Sequence, residues 1–318
     1  MIKTFRPLLC CAALFTLPAP PATADDATAA IARWCDDLGA RLRSVNASEC
    51  RKQPFVAAEE STAGGRLLVW RDFAARSTPA AKAPRVLVIG GIHGDELTAV
   101  SIVFRWLEWV GEDSGKKYHW RMIPSANPDG LLTRPSTRAN SRGVDLNRNF
   151  PTPDWASDAH KYWIERTKRD PRRYPGESGG SEIETRWLEK QIAQYQPDLI
   201  ISVHAPYNLL DYDGPAPQPL RFGRLMLNRL GVYPGSLGNY GGLHKNVPVV
   251  TIELPHATMM PPPREQRTMW RDMLHWMNRN ISAGNALNSK TSKRPEKYGE
   301  PVFKGPALKN PIDHQKID

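Results

Sequence analysis

The chain has 318 residues, of which 40% are hydrophobic and 24% charged, with a formal net charge of +10. That balance excludes a wholly disordered or fibrous polypeptide and leaves room for one large domain or two small ones. Lys and Arg are scattered and form no stripe, so the positive charge reads as a solvated surface and argues against a nucleic-acid partner.

The first stretch, MIKTFRPLLCCAALFTLPAPPATA, sets Lys3 and Arg6 before an apolar run too short to span a bilayer and ends on Ala22-Thr23-Ala24. This is the layout of a cleavable secretory signal over residues 1–24. The mature chain is therefore expected to be periplasmic or secreted, with no stable membrane insertion. Loss of the signal takes two positive charges and Cys10 and Cys11 with it, leaving Cys35 and Cys50. In an oxidising compartment two cysteines default to one disulfide. A loop of about 15 residues closed in this way contributes roughly 3 kcal/mol in the chain-entropy model. The bridge would staple a helix, predicted over residues 29–42 from its apolar spacing, to the segment that follows.

Apolar runs with β-branched residues predict strands at Leu67–Trp70, Val86–Ile89, His119–Ile123, Leu199–Val203 and Val247–Leu254. Helical spacing lies between several of them. Leu97 to Val110 is one such stretch, and Glu182 to Tyr195, with Ser181 as its N-cap, is another. A last helix, Arg264 to Asn280, follows Pro261-Pro262-Pro263. Strands alternating with helices predict an α/β fold, a sheet covered by helices on both faces, in one domain over about residues 26–283. Residues 286–318, rich in Lys, Pro and Asn, have the composition of a basic tail without a core.

Ligands of open α/β sheets bind beyond the carboxyl ends of the strands. His93 and Glu96, in GGIHGDEL, follow one predicted strand; His204 ends a second (LIISVH); Glu253 ends a third (VPVVTIEL). Two histidines and a glutamate form one of the ligand sets by which hydrolases hold zinc while leaving a fourth position for water. Gly94 eases a tight turn between the first two. His119, His160, His244, His275 and His314 lie in polar contexts that suit a solvated imidazole. His204 leaves a buried strand and suits a ligand, although a core histidine bonded to backbone is an equal reading of that residue alone. Glu253-Leu254-Pro255-His256 offers a rival pair, but Pro255 rules out a regular helix there. Glu253 reads either as a strand-end ion-pair partner or as the group that takes a proton from water and passes it to a leaving nitrogen.

Between these strands stand NPDG (127–130) and RANSRGVDLNRNFP (138–151). With HGDE, SVHAP and TIELP, in this order, they make the chain resemble the zinc carboxypeptidase (metallocarboxypeptidase) family from about Gly65 to about Asn280. YPGESGGSEIET, from Tyr174 to Thr185, is similar to another segment of that family. The resemblance implies a single-domain zinc-carboxypeptidase-like fold with a mixed twisted sheet, and one Zn2+ on His93, Glu96 and His204. It implies Glu253 as general base and acid, Arg138 as the residue that polarises the scissile carbonyl, and Asn147 and Arg148 as holders of the substrate's terminal carboxylate. A guanidinium fork suits a carboxylate. Arg142 reads as a surface charge and Asp145 as a brace of the loop.

Two positions depart from the family pattern. The substrate-capping tyrosine falls near Tyr233, with Tyr240 as the other candidate, and neither stands at the spacing of the digestive enzymes. Asp95 stands where those enzymes carry a basic residue. The segment YPGSLGNYGGLHKNVPVVTIELP looks most like the bacterial branch of murein peptide amidases, which cut between γ-D-glutamate and meso-diaminopimelate in cell-wall peptides. The expected division is a signal over 1–24, an N-terminal helical segment over 25–64, a catalytic domain over 65–283 and a basic tail over 284–318. The expected partner is a peptidoglycan-derived peptide, with the oligomeric state left open. Alternatives are a general exported metallocarboxypeptidase acting on protein C-termini, and an N-acyl amino acid deacylase of the aspartoacylase and succinylglutamate desuccinylase type. A catalytically dead wall-binding module is a fourth reading; it fits poorly because every ligand position and the base are filled.

Overall fold

The computed structural model describes residues 24–112, 115–215 and 217–284. The expected signal over 1–24 and tail over 284–318 lie outside the described residues, apart from Ala24 and Gly284. Helix α1 (Ala24–Arg41) and the short α2 (Ala47–Arg51) lead into the hairpin of β1 (Val56–Ser61) and β2 (Leu67–Phe73). Then come β3 (Arg85–Gly90), α3 (Leu97–Trp109), β4 (His119–Ile123), α4 (Pro128–Leu132), α5 (Trp155–Glu165) and α6 (Ile183–Tyr195). The last third holds β5 (Leu199–His204), β6 (Leu209–Asp213), β7 (Arg221–Phe222), β8 (Leu225–Leu227), β9 (Val249–Glu253) and α7 (Pro263–Asn280). A π-helical stretch, Gly238–His244, precedes β9. Among the described residues no helix is long and apolar enough to cross a membrane.

The nine strands form one mixed sheet in the order β1-β2-β4-β3-β5-β9-β6-β8-β7. Its centre, β4-β3-β5-β9, is parallel, and β2 and β6 flank it antiparallel. Central strands buried on both faces must be apolar at every position, and RVLVIG and LIISVH are nearly so. Side chains alternate between faces. Val86, Val88, Ile201, Val203, Val250 and Ile252 pack toward α1, α3 and α7 in one core. Leu87, Ile89, Ile200 and Val249 join Trp187, Leu188 and Tyr240 in the other. Trp106 and Trp120 both pack on Trp270 at 5.5 Å between ring centres, which seats α3 and α7 on the sheet.

The expected disulfide is present: Cys35 and Cys50 join α1 to α2, with Cα atoms 5.7 Å apart. The segment over 25–64 is not only helical, because it also supplies β1, the edge strand of the same sheet. Trp34 of α1 packs on Phe55 at 5.2 Å and on Phe104 of α3 at 6.1 Å, which merges the segment with the main core. Ser181 is not the N-cap of α6. Glu182 holds that position, and the Ser181 hydroxyl donates to its carboxylate at 2.7 Å.

The three strands that end in chemistry-bearing residues are neighbours. Gly90 of β3 lies beside Val203, and His204 of β5 beside Glu253 of β9. The turn after β3 takes φ +59° at Gly91, a conformation that favours glycine. Gly94 serves by closeness instead, since any side chain there would overlap the backbone of Gly130 and Leu131. This contact brings the β3 turn onto the NPDG loop that leads to Arg138.

Candidate active site

His93, Glu96 and His204 meet at the carboxyl end of the sheet, each buried, with ligand-competent atoms all within 4.8 Å of one another. His93 Nδ1 is 2.8 Å from Glu96 Oε1, His204 Nδ1 is 3.0 Å from Glu96 Oε2, and the two Nδ1 atoms are 3.2 Å apart. The outward nitrogens are engaged elsewhere. His93 Nε2 faces Asp145 Oδ1 at 3.1 Å and His204 Nε2 faces Ser202 Oγ at 2.9 Å. When His93 donates through Nε2, its Nδ1 presents a lone pair to the Glu96 carboxylate, an arrangement that one cation resolves. The donor set therefore fits a zinc ion: two imidazole nitrogens and one carboxylate, with outer partners fixing ring orientation.

Burial works against the charge of Glu96, but His93 and His204 outweigh it and hold its carboxyl below the ordinary range. For His93, burial and Arg138 oppose protonation, while Glu96 and Asp145 outweigh them and leave its pKa raised. For His204 burial prevails and the pKa falls. Neutral imidazoles and ionised carboxylates are the forms that bind metal.

Arg138 lies against this cluster. Its Nε donates to Asp145 Oδ2 at 2.9 Å and its Nη1 comes within 3.5 Å of Glu96 Oε1. Burial opposes its charge, but Asp145 and Glu96 overcome burial and raise the pKa. Glu253 is buried, accepts a long hydrogen bond from the Tyr207 backbone N–H at 3.4 Å, and has a pKa well above the usual carboxylate value. Desolvation is the main cause and the negative charge of Glu96 the second. A carboxyl of this kind is suited to exchange protons near neutral pH.

Asn147 and Arg148 lie on a short 3-10 turn that Asp145 caps by accepting from the Asn147 backbone N–H at 3.0 Å. Asn147 Oδ1 accepts from Leu237 N at 2.8 Å, so its Nδ2 remains to donate. Arg148 is buried, donates from Nη1 to the Asn147 carbonyl at 2.7 Å, and has no partner on Nε. No carboxylate among the described residues makes an ion pair with it. Burial lowers its pKa, although a guanidinium stays charged at neutral pH. It stacks 4.4 Å from the ring centre of Tyr233, whose hydroxyl donates to Leu230 O at 2.6 Å. Tyr240, the other candidate, is a core residue packed on Phe150 at 5.4 Å.

The remaining readings sort by geometry. Asp95 pairs with Arg172 at 2.7 Å, and Arg142 is exposed, 3.5 Å from Glu182. Asp145 does more than brace its loop, since one carboxylate joins His93 to Arg138. Tyr207, missed from the sequence, is exposed beside the cluster and lies in electrostatic range of Arg138. Its signal was there to read: it follows His204 by three residues, across Ala205-Pro206. His256 uses its backbone carbonyl to accept from Thr98, and no other part of it reaches the cluster.

A family model described as zinc carboxypeptidase matches residues 59–215, a range that contains His93, Glu96, Arg138, Asn147, Arg148 and His204. Murein peptide amidase A of Escherichia coli (strain K12) is 36% identical over 130 residues, 40% of this chain and 52% of that protein. The aligned part thus spans about half the length of that relative. Murein peptide amidase A of Vibrio campbellii is 31% identical over 180 residues, 54% of this chain and 69% of that protein. In fold, the chain is similar to the crystal structure of carboxypeptidase A from Helicoverpa armigera, with TM-score 0.55 and 16% identity over 74% of this chain and 70% of that one.

Proposed function

The chain belongs to the zinc carboxypeptidase family, and we propose that it is an exported zinc-dependent peptidase or amidase that hydrolyses peptidoglycan stem peptides at the γ-D-glutamyl–meso-diaminopimelate bond. The observation that carries this reading is the meeting of His93 Nδ1, Glu96 and His204 Nδ1 beside a buried Arg148 that lacks a carboxylate partner. Similarity to murein peptide amidases supports the substrate class. The Cys35–Cys50 bridge supports an oxidising compartment.

His93, Glu96 and His204 would hold the zinc ion. Bound there, zinc supplies Lewis acidity that polarises a carbonyl and acidifies water. The residues of the chain do the rest. Arg148 offers its fork to the carboxylate of the departing residue, and Asn147 Nδ2 donates to the same group. Arg138, held by Asp145, points its remaining donors at the carbonyl oxygen where negative charge develops. Glu253 takes a proton from water as the oxygen–carbon bond forms and returns it to the nitrogen as the carbon–nitrogen bond breaks. Its raised pKa makes both transfers near neutral pH feasible.

The test is mass analysis of products from a diaminopimelate-containing tripeptide and tetrapeptide, alongside metal content by mass spectrometry and inhibition by a chelator. Release of diaminopimelate, or of its alanyl form, from zinc-loaded protein is expected. Trimming of ordinary peptides, with muropeptides left intact, would shift the assignment to a general carboxypeptidase.

A further inference from the structure

We propose that Asp211 and Asp213 form the subsite that selects a departing residue whose side chain carries an ammonium group. This rests on the hydrolase reading above and names the chemistry of one of its pockets.

The placement follows from strand register. In the antiparallel ladder of β6 and β9, Leu209 lies opposite Glu253, Asp211 opposite Thr251 and Asp213 opposite Val249. Residues directly opposite share a face, and so do alternate residues of one strand. Leu210 and Tyr212 point into the core under α7. Asp211 and Asp213 therefore point to the Glu253 side of the sheet. Asp211 is in electrostatic range of both Glu253 and Tyr233, the residue stacked on Arg148.

A second path reaches the same place. Any side chain at Gly238 would overlap Asp213 Oδ2, so that carboxylate lies against the start of the π-helical stretch. The neighbouring Leu237 donates its N–H to Asn147 at 2.8 Å. The acidic pair is thus one residue removed from the element that orients Asn147. From the metal ligands outward the pocket presents Glu253, then Asn147 and Arg148, then Asp211 and Asp213.

Neither carboxylate has a structural task that accounts for its charge. Asp211 is only 6% exposed and accepts from its own neighbour, Tyr212 N, at 2.9 Å and from the backbone at Leu230. Asp213 has no hydrogen-bond donor among the described residues. Arg229 is in electrostatic range of both, yet its Nη2 donates to Gln218 at 2.6 Å and it forms no ion pair with either. Desolvation accordingly pushes Asp211 up to about 6, and desolvation together with Asp211 pushes Asp213 well above the ordinary value. Two buried carboxyls side by side resist ionising together. A cation between them removes that cost, and the space they face is where the side chain of the departing residue would lie. A lysine-like or diaminopimelate side chain carries such a cation; an aliphatic side chain of equal length does not.

The test uses the zinc-loaded full chain and matched tripeptides L-Ala-γ-D-Glu-X, with X meso-diaminopimelate, lysine, norleucine or glutamate. The wild type is expected to favour diaminopimelate and lysine over norleucine by about tenfold or more in kcat/KM. That ratio is expected to collapse in Asp211→Asn and Asp213→Asn and to persist in Asp213→Glu. Equal cleavage of lysine and norleucine peptides by the wild type, or preference for glutamate, overturns the proposal even if the variants fail to fold. Ratios unchanged in two folded variants overturn it as well. If none of the peptides is cleaved, the hydrolase reading falls, and calorimetry with free lysine and norleucine decides the subsite by itself: equal binding rejects it and tighter lysine binding supports it.

Discussion

The carboxylate of Asp145 lies 3.1 Å from Nε2 of His93, on the far side of the ring from Glu96. Its other oxygen accepts from Arg138 Nε at 2.9 Å. One fully buried carboxylate therefore orients a metal-competent imidazole and the guanidinium proposed to face the carbonyl oxygen. Replacing Asp145 with Asn is expected to weaken zinc binding by about 10–100-fold, the usual cost of losing an outer partner. Competition against a chromogenic chelator measures this directly. Unchanged zinc affinity would reduce Asp145 to a brace of its own loop.

Glu253→Gln keeps the size and removes the proton acceptor. Zinc content is expected to stay at the wild-type level while kcat falls by about 10²–10⁴-fold. Full activity in a preparation free of wild-type protein would remove Glu253 from the proton path.

Arg148→Lys retains a positive charge but loses the planar fork. Peptides ending in a free carboxylate should lose about 10²-fold in kcat/KM, within the range for a buried charged contact. Wild type should discriminate strongly between free and amidated termini, and the variant should not. Equal discrimination in both proteins would place the carboxylate elsewhere.

Glu184 makes a prediction about stability. It is fully buried, Oε1 has no partner, and Asn140 Nδ2 approaches Oε2 at 3.3 Å. Desolvation pushes its pKa up to about 7. A carboxyl whose folded pKa exceeds its unfolded value supports the fold below the unfolded pKa and loses that support as pH rises through the folded one. Glu184→Gln should therefore be more stable than wild type at pH about 8, by on the order of 2–3 kcal/mol, and the gap should close by pH about 4.5. Denaturant melts of the two proteins at both pH values measure it; a pH-independent difference would mean that Glu184 does not titrate in this window.

What the sequence made legible follows from burial. Strands β3, β5 and β9 are covered on both faces, so their near-continuous apolar runs stand out and His93, Glu96, His204 and Glu253 appear at their ends. Strand β1, VAAEES, is an edge strand that is mostly exposed and carries no apolar alternation. LLDYD of β6 hides its strand character because Asp211 and Asp213 face the pocket, not a core. Helix α5 buries only Trp155 and Ala159, too little to mark a face. Asp145 was taken for a loop brace because its reach to His93, 52 residues away, is a property of the folded chain. Tyr233 was proposed as a cap over substrate, and its ring is instead stacked on Arg148.

The rung that His204 shares with Glu253 is part of the hydrogen-bonded lattice of the sheet. Adjacent strands stand about 4.8 Å apart whatever the loops do. Spacing between a metal-competent imidazole and the proton carrier is therefore inherited from backbone architecture, and no hinge or lid has to set it. Insertions around β6 and the π-helical stretch can reshape which amino acid is accepted while leaving that fixed interval alone.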